Sequence, residues 1–466
     1  MGQVMTSEDV QTLRTIVTGQ VFVPGDPGYD HARIVWNGAI DKRPAVIVRC
    51  ASAADVAAAI AYARRRNLEI AVRGGAHSTG GSSTVEDGLQ IDLSGMRNVT
   101  VDPVARRAFV DGGATLGDLD GAAQAHGLAV PGGVVSHTGV GGLTLGGGMG
   151  WLTRKAGLAI DNLISAEVVT ADGRILLASE RENADLFWAI RGGGGNFGVV
   201  TRFEFKLHPV GPLVQFGLFF WPLERTAEVL RMAEELTATS PADLNVIVAG
   251  INAPPEPFVP EEHRFRPGCA LLVTGFGSQE AHAAVVTRLR NEMAPLFELV
   301  TPIPYVQLQK MLDEANAFGI HAYDKALYLE AFSEDVIAAI AEHLPRKTSP
   351  HSPVLFYRLD GAYSAVGDDE TAFGGGRSPR WIVFIVGLAE SHEGLAAERQ
   401  WVRSFWDALK PHAMGIGSYV NGESEYARDR VLNSYGPTKY DRLARIKATY
   451  DPENVFHLNA NIRPAT

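Results

Sequence analysis

Short β-type runs alternate with alanine-rich helical runs over the first 209 residues of the chain. Ala45–Cys50 (AVIVRC) has the continuous apolar pattern of a buried strand, and Leu68–Val72 predicts the next strand. Between them, Ser52–Arg65 (SAADVAAAIAYARR) predicts a helix that begins at a serine cap. The pattern therefore predicts a β-α-β beginning for the fold.

The same region continues with further strands and one more helix. The apolar runs predict strands at Leu89–Leu93, Arg107–Asp111 and Val199–Leu207, and a helix at Leu116–His126. The runs Ala166–Thr170 and Arg174–Ala178 predict a hairpin, because the residues between them carry the Asp-Gly turn signal.

The pattern changes after Pro209, where glycine becomes less frequent. Strand and helix patterns follow each other at Val214–Trp221, Arg225–Leu236, Asn245–Ile251, Ala270–Phe276 and Glu280–Glu292. We therefore predict an α+β chain with an N-terminal segment (1–42), a first domain (43–209), a second domain (210–415) and a C-terminal segment (416–466) that returns to the first domain.

Composition and charge restrict the class of protein. The chain has 466 residues, of which 46% are hydrophobic and 20% charged, as in ordinary globular enzymes and binding proteins. The net charge of −11 argues against nucleic acid and anionic membranes as partners. The two cysteines form no CxxC or Cys/His cluster, so we predict no metal site, and with no apolar run of membrane-spanning length we expect a cytoplasmic protein.

Glycine is the unusual residue, with 50 copies that are concentrated in clusters. Three clusters lie between apolar segments: Arg73–Gly81 (RGGAHSTGG), Pro131–Gly150, and 191–198 (RGGGGNFG). Glycine lets backbone N–H groups approach an anion such as a diphosphate, and three such segments favour a binding site over plain structural loops. The spacing matches neither the dinucleotide GxGxxG fingerprint nor a P-loop.

These motifs resemble the FAD-binding domain of the vanillyl-alcohol-oxidase/p-cresol-methylhydroxylase (PCMH-type) superfamily, and within it the bacterial berberine-bridge-enzyme-like oxidases. The resemblance covers nearly the whole chain and rests on VRGGAHS (72–78), the 131–150 loop, GLAIDNL (157–163), DLFWAIRGGGGNFGVVT (185–201) and YDPENVFHLNANI (450–462). It implies a two-subdomain FAD-binding domain and an α+β substrate domain whose antiparallel sheet is covered by helices.

The resemblance also implies that the imidazole of His77 is bonded to the 8-methyl group of FAD. Many relatives add a second bond through a cysteine, but Val135 stands at that position, so we expect a single covalent bond. The remaining residues expected to line the cofactor are Arg73, Gly74, Gly75, Ala76, Ser78, Thr138, Gly139, Val140, Gly142, Gly148, Asn196, Val200 and Asn459.

Substrate chemistry is expected from the SYVNG segment (418–422), which resembles a Tyr-x-Asn element near the flavin. Some relatives carry a catalytic glutamate in a strand that corresponds to Val354–Gly361, but that strand contains no glutamate here. We therefore expect Tyr419, as base or hydrogen-bond donor, and Asn421 to be the catalytic residues. His137 is expected to be a structural partner, with contact to the substrate as the alternative.

Together these features predict an FAD-dependent oxidase that takes a hydride from a small organic alcohol, amine or phenol and passes the electrons to dioxygen. The small side chain of Val140, which the resemblance places beside the reactive flavin carbon, leaves room for oxygen. The alternatives are a dehydrogenase with another acceptor, and a flavin-binding protein or small-molecule carrier without turnover. The sequence leaves the oligomeric state open.

Overall fold

The computed structural model describes residues 7–415 and 417–466. Residues 1–6 and 416 of the predicted terminal segments lie outside the described residues. No helix in these two ranges is both long enough and apolar enough to cross a membrane.

A four-stranded sheet opens the fold and contains the predicted β-α-β unit. Its strands are β1 (Gln20–Phe22), β2 (Val46–Arg49), β3 (Ile70–Arg73) and β4 (Leu89–Asp92), in the order β1-β2-β4-β3. Strand β4 pairs in parallel with both β2 and β3, and β1 pairs antiparallel with β2. The connecting helix spans Ala53–Arg66, and the Ser52 hydroxyl accepts a hydrogen bond from Asp55 N, as the serine cap predicted.

A five-stranded antiparallel sheet follows. It contains β5 (Val99–Asp102), β6 (Arg107–Asp111), β8 (Leu163–Val169), β9 (Ile175–Ser179) and β10 (Val199–Lys206), in the order β5-β6-β10-β8-β9. Strands β8 and β9 form the hairpin that the Asp-Gly turn predicted. Two short strands, β7 (Leu128–Ala129) and β11 (His208–Pro209), pair beside this sheet.

The second half of the chain builds a seven-stranded antiparallel sheet. Its order is β15-β12-β14-β13-β17-β18-β16, and its strands are β12 (Leu213–Pro222), β13 (Leu244–Asn252), β14 (Pro267–Gly275), β15 (Phe297–Pro304), β16 (His321–Leu329), β17 (Val354–Leu359) and β18 (Arg380–Ala389). The chain thus leaves the sheets of its first half at residue 209 and enters the seven-stranded sheet at residue 213. The domain limits 43–209, 210–415 and 416–466 remain predictions.

Thirteen α-helices surround these sheets within the described residues. They are α1 (Ser7–Ile16), α2 (Tyr29–Arg33), α3 (Ala53–Arg66), α4 (Leu116–Gln124), α5 (Val140–Leu145), α6 (Thr153–Ala156), α7 (Ala184–Ile190), α8 (Thr226–Thr239), α9 (Gln279–Glu292), α10 (Tyr305–Lys310), α11 (Glu334–His343), α12 (His392–Leu409) and α13 (Arg428–Tyr450).

The seven-stranded sheet has an apolar core on each face. Helices α8, α9, α11 and α12 cover one face, where Trp221, Trp381 and Phe405 are buried. The other face packs against the first half of the chain, and there the aromatic rings of Tyr328 and Tyr419 share one buried cluster with Met149 and Trp151. Apolar burial on this second face holds the two halves of the chain together.

The C-terminal segment is held on the first half of the chain by a buried ion pair in and just after α13. Lys447 and Asp451 are both fully buried, and their side chains lie 2.6 Å apart. The Lys447 ammonium also donates to the carbonyl oxygens of Asn196 and Phe456, at 2.6 and 2.9 Å. The pair therefore fixes the last residues of the chain on the glycine-rich 191–198 loop.

We expect Lys447→Met to lower the free energy of unfolding by about 3–5 kcal/mol, because it leaves the Asp451 carboxylate buried without its cation. Equilibrium denaturant unfolding measures this loss. Arg231→Met is the matched control: it removes an ion pair to Glu334 whose two side chains are 47% and 76% exposed. Its effect should stay below about 1 kcal/mol, and equal losses in the two variants would contradict the expectation.

Candidate active site

The RGGAHS loop leaves the end of β3 in a strained and well-anchored conformation. Arg73 forms an ion pair with the buried Asp92 at 3.2 Å. Ala76 has a left-handed backbone, with φ of 59°, and its carbonyl oxygen accepts a hydrogen bond from Trp36 N at 2.9 Å. A left-handed conformation at a residue with a side chain costs energy, so the surrounding structure must hold the loop at Ala76, and such strain is typical of functional sites.

The first two glycine clusters contact each other through their backbones. A Cβ atom added to Gly75 would lie 2.1 Å from the backbone nitrogen of Gly139, and one added to Gly139 would lie 2.3 Å from that of Gly75. Both distances are far below any real contact. Glycine is therefore required at both positions for the RGGAHS loop and the 131–150 loop to come together.

The sequence suggested a continuous loop over 131–150, and this was wrong, because the segment contains the short helix α5. Gly139 is extended and precedes the helix, and Val140 N donates to the Ala114 carbonyl at 2.9 Å. The carbonyl of Thr138 accepts from Leu116 N, also at 2.9 Å. These bonds fix the start of α5 on residues 114–116, where the Val140 side chain is buried.

His77 lies in an aromatic environment beside a second histidine. Its Nε2 is 2.6 Å from Nδ1 of His137, its ring stacks on Trp36 at 5.0 Å, and Phe318 contacts both imidazoles. Burial and the neighbouring His137 lower the pKa of His77 to about 3. His77 is therefore neutral at physiological pH and retains a nitrogen lone pair.

Tyr419 and Asn421 lie close together at the end of α5. Tyr419 packs on the face of the seven-stranded sheet that α8, α9, α11 and α12 do not cover. The Tyr419 hydroxyl accepts hydrogen bonds from Gly148 N and from the Asn421 side-chain amide, both at 3.0 Å. The same amide donates to the Leu143 carbonyl at 2.9 Å. Burial raises the pKa of Tyr419 to about 12, although the two donors lower it in part, so the residue is a neutral phenol at pH 7.

Two predicted residues, Asn196 and Asn459, connect the C-terminal segment with the third glycine cluster, and a third, Val200, lies in β10. The side chain of Asn196 is fully buried and bonds to the backbone of Gly193, Ala460 and Ile462. Val200 lies buried in β10, and Asn459 lies beside Gly195. The Asn196 side chain therefore joins backbone segments of the protein, because its amide group already has backbone hydrogen-bond partners.

The remaining predicted residues lie on the same two loops. The Ser78 hydroxyl accepts from the Ser82 hydroxyl at 2.8 Å. Gly148 has a φ of +78° and donates to Tyr419. Gly142, in α5, is exposed, and a Cβ added to it would meet no atom within 4 Å. The structure therefore leaves open space beside Gly142.

A cavity of about 480 Å³ lies on the His137 side of the RGGAHS loop. Three predicted residues, Arg73, Gly74 and Gly75, line it together with His137 and Phe318, whereas the residues of α5 and of the C-terminal segment do not. The predicted cofactor residues are thus distributed over both sides of this loop.

Trp36 and Phe318 were missed by the sequence reasoning, although both contact the His77 ring. They lie 41 residues before and 241 residues after it in the chain. Neither stands in a motif, so only the fold could reveal them. Phe373, 6.2 Å from Tyr419, was missed for the same reason.

The residues present fit a flavin nucleotide. The Oδ1 atom of Asn459 is buried without a hydrogen-bond partner, and so is Oδ1 of Asn461, which leaves acceptors for a polar ligand. The open space beside Gly142 and the neutral imidazole of His77 add a surface for a flat ring and a nucleophilic nitrogen. His77 would hold the ring, and the glycine backbone of the RGGAHS loop would bind the diphosphate.

Comparison with known proteins agrees with this fit. Residues 44–179 match the family model described as FAD binding domain, and residues 418–463 match the one described as berberine and berberine like. An FAD-linked oxidoreductase of Dictyostelium discoideum is 33% identical over 450 residues, covering 96% of this chain and 95% of that protein. The (R)-6-hydroxynicotine oxidase of Paenarthrobacter nicotinovorans is 31% identical over 456 residues, covering 96% and 97%.

A solved structure supports the same assignment. The crystal structure of 6-hydroxy-D-nicotine oxidase from Arthrobacter nicotinovorans superposes with a TM-score of 0.85 at 28% identity, covering 96% of this chain and 98% of that one. The chain belongs to the berberine-bridge-enzyme-like family of FAD-linked oxidoreductases. The resemblance to this family, the α+β fold class and the enzymatic class are thereby confirmed.

If the open space beside Gly142 belongs to the flavin, Gly142→Ala should lower the flavin-to-protein ratio of the purified enzyme. Gly121→Ala is the matched control, because Gly121 also lies in a helix with no atom within 4 Å of an added Cβ. Both exchanges should stabilise the flavin-free chain by about 0.5–1 kcal/mol, the usual gain for glycine to alanine in a helix. Full flavin content in Gly142→Ala, measured by absorbance, would contradict this placement.

Proposed function

We propose that the enzyme is an oxidase that holds FAD through a single covalent bond to His77, oxidises a small organic alcohol, amine or phenol, and reduces dioxygen. The observation that carries this proposal is the convergence of a neutral imidazole, a short helix start and a buried phenol around the two glycine loops. The relatives named as oxidases of hydroxynicotine act on a small organic molecule, which supports the substrate class.

Arg73, Gly74, Gly75, Ala76 and Ser78 would hold the diphosphate on the cofactor side. When bound, FAD supplies the acceptor for a hydride. Val135 supports a single bond, since the position ahead of the GVGG turn offers no thiol, and the two cysteines are buried elsewhere in the chain.

Tyr419 would act on the substrate side as a hydrogen-bond donor. Both acceptor positions of its oxygen are used by Gly148 N and the Asn421 amide, so its own O–H is free to point at a substrate. Because its pKa is raised to about 12, it begins the reaction protonated and orients the substrate hydroxyl or amine rather than removing a proton beforehand. The Asn421 side-chain amide donates to both the Leu143 carbonyl and the Tyr419 oxygen, and it would thereby position the phenol.

Val140 would decide the electron acceptor. Its side chain is small and β-branched and stands at the first position of α5, fixed by the bond of its N–H to Ala114. Its side chain is buried in the apolar cluster with Ala114 and Leu116, and the proposal requires that it borders the flavin there, so that its size sets the room for dioxygen. The buried, unpaired thiols of Cys50 and Cys269 are compatible with the reducing cytoplasm, which we retain as the proposed compartment.

The covalent bond is tested by intact mass. We expect one FAD to remain on the denatured parent chain, and His77→Ala to carry only flavin that dissociates on denaturation, because the nucleophilic nitrogen is lost. His126→Ala, at an exposed position after α4, is the control and should keep the added mass. A covalent adduct that survives in His77→Ala would refute the assignment.

The role of the phenol is tested by Tyr419→Phe. Rapid-mixing measurement of flavin reduction by substrate should be slower by roughly 10²–10⁴-fold, the usual contribution of a positioned acid–base group. The flavin content should stay unchanged, because the proposed role of the Tyr419 hydroxyl lies on the substrate side of the ring. Reduction at the parental rate would remove Tyr419 from the mechanism. It would direct attention to Tyr357 and Arg358, which lie in the glutamate-free strand β17, and to His137.

The acceptor is tested by mixing photoreduced enzyme with oxygenated buffer. The parent enzyme should be reoxidised rapidly and form hydrogen peroxide, whereas Val140→Ile should react more slowly, since one added methylene occupies the space for oxygen. Val134→Ile, in the same loop ahead of the helix, is the control and should not alter the rate. Slow reoxidation of the parent, with rapid transfer to a dye, would favour the dehydrogenase.

A further inference from the structure

The second histidine of the site, His137, has no role in the proposed function. It stands in the 131–150 loop, two residues before Gly139, and its ring centroid lies 4.7 Å from that of His77 at an interplanar angle of 39°. The 2.6 Å separation between Nε2 of His77 and Nδ1 of His137 is a short hydrogen bond between two side chains. Such a contact fixes the orientation and the tautomer of an imidazole.

We propose that His137 is a positioning residue that engages Nε2 of His77 and thereby makes Nδ1 of His77 the nitrogen that bonds to FAD. The inference rests on the proposed function, in which His77 carries the flavin. It goes further by naming the bonding atom and the residue that selects it.

The tautomer of the pair decides which nitrogen is nucleophilic. One of the two facing nitrogens must donate the hydrogen bond and the other must accept it. If His77 donates from Nε2, its Nδ1 carries the lone pair and can bond to carbon. If His137 donated instead, Nδ1 of His77 would hold a proton and could not react. The reactive arrangement is therefore the one in which Nδ1 of His137 accepts.

The covalent step balances with this assignment. A C–N bond forms between Nδ1 and the 8-methyl carbon, and a C–H bond of that methyl group breaks and releases its proton to water. The electron pair of the broken bond stays on the flavin, which is reduced by two electrons and then reoxidised by dioxygen. The alkylated imidazole becomes a cation, and its remaining proton, on Nε2, is shared with or passed to His137.

Of the three rings in contact with His77, that of His137 is the one that can accept the Nε2 proton. The other two rings in contact with His77 belong to Trp36 and Phe318, which offer no acceptor for an N–H proton. Burial lowers the pKa of His77, so its cationic form is costly. A neighbour that accepts the proton removes this cost. His137 can pass it on, since its ring lines the 480 Å³ cavity beside the loop.

The test measures how fast apoprotein from riboflavin-limited cells acquires covalent FAD, followed by intact mass after denaturation. In His137→Ala the reaction should be about 10²-fold slower, the lower end of what a positioned proton acceptor contributes. Added imidazole should restore the rate, because the lost ring borders a cavity that a small molecule can enter. Fragmentation of the flavin peptide should place the bond on Nδ1 in the parent chain.

His126→Ala is the matched control, because it removes an exposed histidine that lies after α4 and outside the site. It should acquire FAD at nearly the parental rate. His137→Gln retains an acceptor oxygen and should react faster than His137→Ala, which keeps the test valid if the alanine variant fails to fold.

Four outcomes would overturn the inference. A His137→Ala chain that acquires covalent FAD at the parental rate, or a slow one that imidazole does not accelerate, would show that His137 does not act on His77. A bond on Nε2 would contradict the choice of atom. A parent chain that releases all its flavin on denaturation would contradict the covalent bond of the proposed function itself, and the inference with it.

Discussion

The close approach of Gly75 and Gly139 is the constraint on which the site depends. It joins a loop that leaves β3 of the first sheet to the start of α5, which is bonded to residues 114–116 beside the second sheet. Any side chain at either glycine would push these elements apart. The contact therefore sets the separation of His77 from Val140, and so the distance between the proposed anchor of the cofactor and the proposed acceptor position.

The C-terminal segment supplies the second half of the site because it is held at both ends. Near its start, Tyr419 bonds to Gly148 just after α5 and Asn421 bonds to Leu143 within α5. Near its end, Lys447 and Asn196 join the segment to the third glycine cluster. Between these two points the segment crosses from the proposed substrate side to the proposed cofactor side. Loss of the buried Lys447 ion pair would therefore lower flavin binding as well as the free energy of unfolding.

Local patterns predicted much of the fold, and the motifs supplied most residues of the candidate site, whose roles remain predictions. The strands at 46–49 and 107–111 and the Ser52 cap follow from short-range periodicity and capping, which depend on neighbouring residues alone. Helix α5 was missed because glycine is a poor helix former, and tertiary bonds to residues 114–116 outweigh this preference. The rings of Trp36 and Phe318 could not be predicted, since they reach His77 only through the packing of distant segments.

Tyr419 is neutral at pH 7, and in the proposed reaction this restricts the substrate. Burial raises the pKa of Tyr419 to about 12, so the phenol offers no charge to an incoming molecule. A phenol whose oxygen already accepts two hydrogen bonds can only donate. If Tyr419 orients the substrate as proposed, the substrate brings the acceptor. A hydroxyl oxygen has a lone pair in every state, whereas an amine has one only when it is deprotonated. An amine substrate would consequently react in its neutral form, and its oxidation should quicken as the pH rises towards the amine's own pKa.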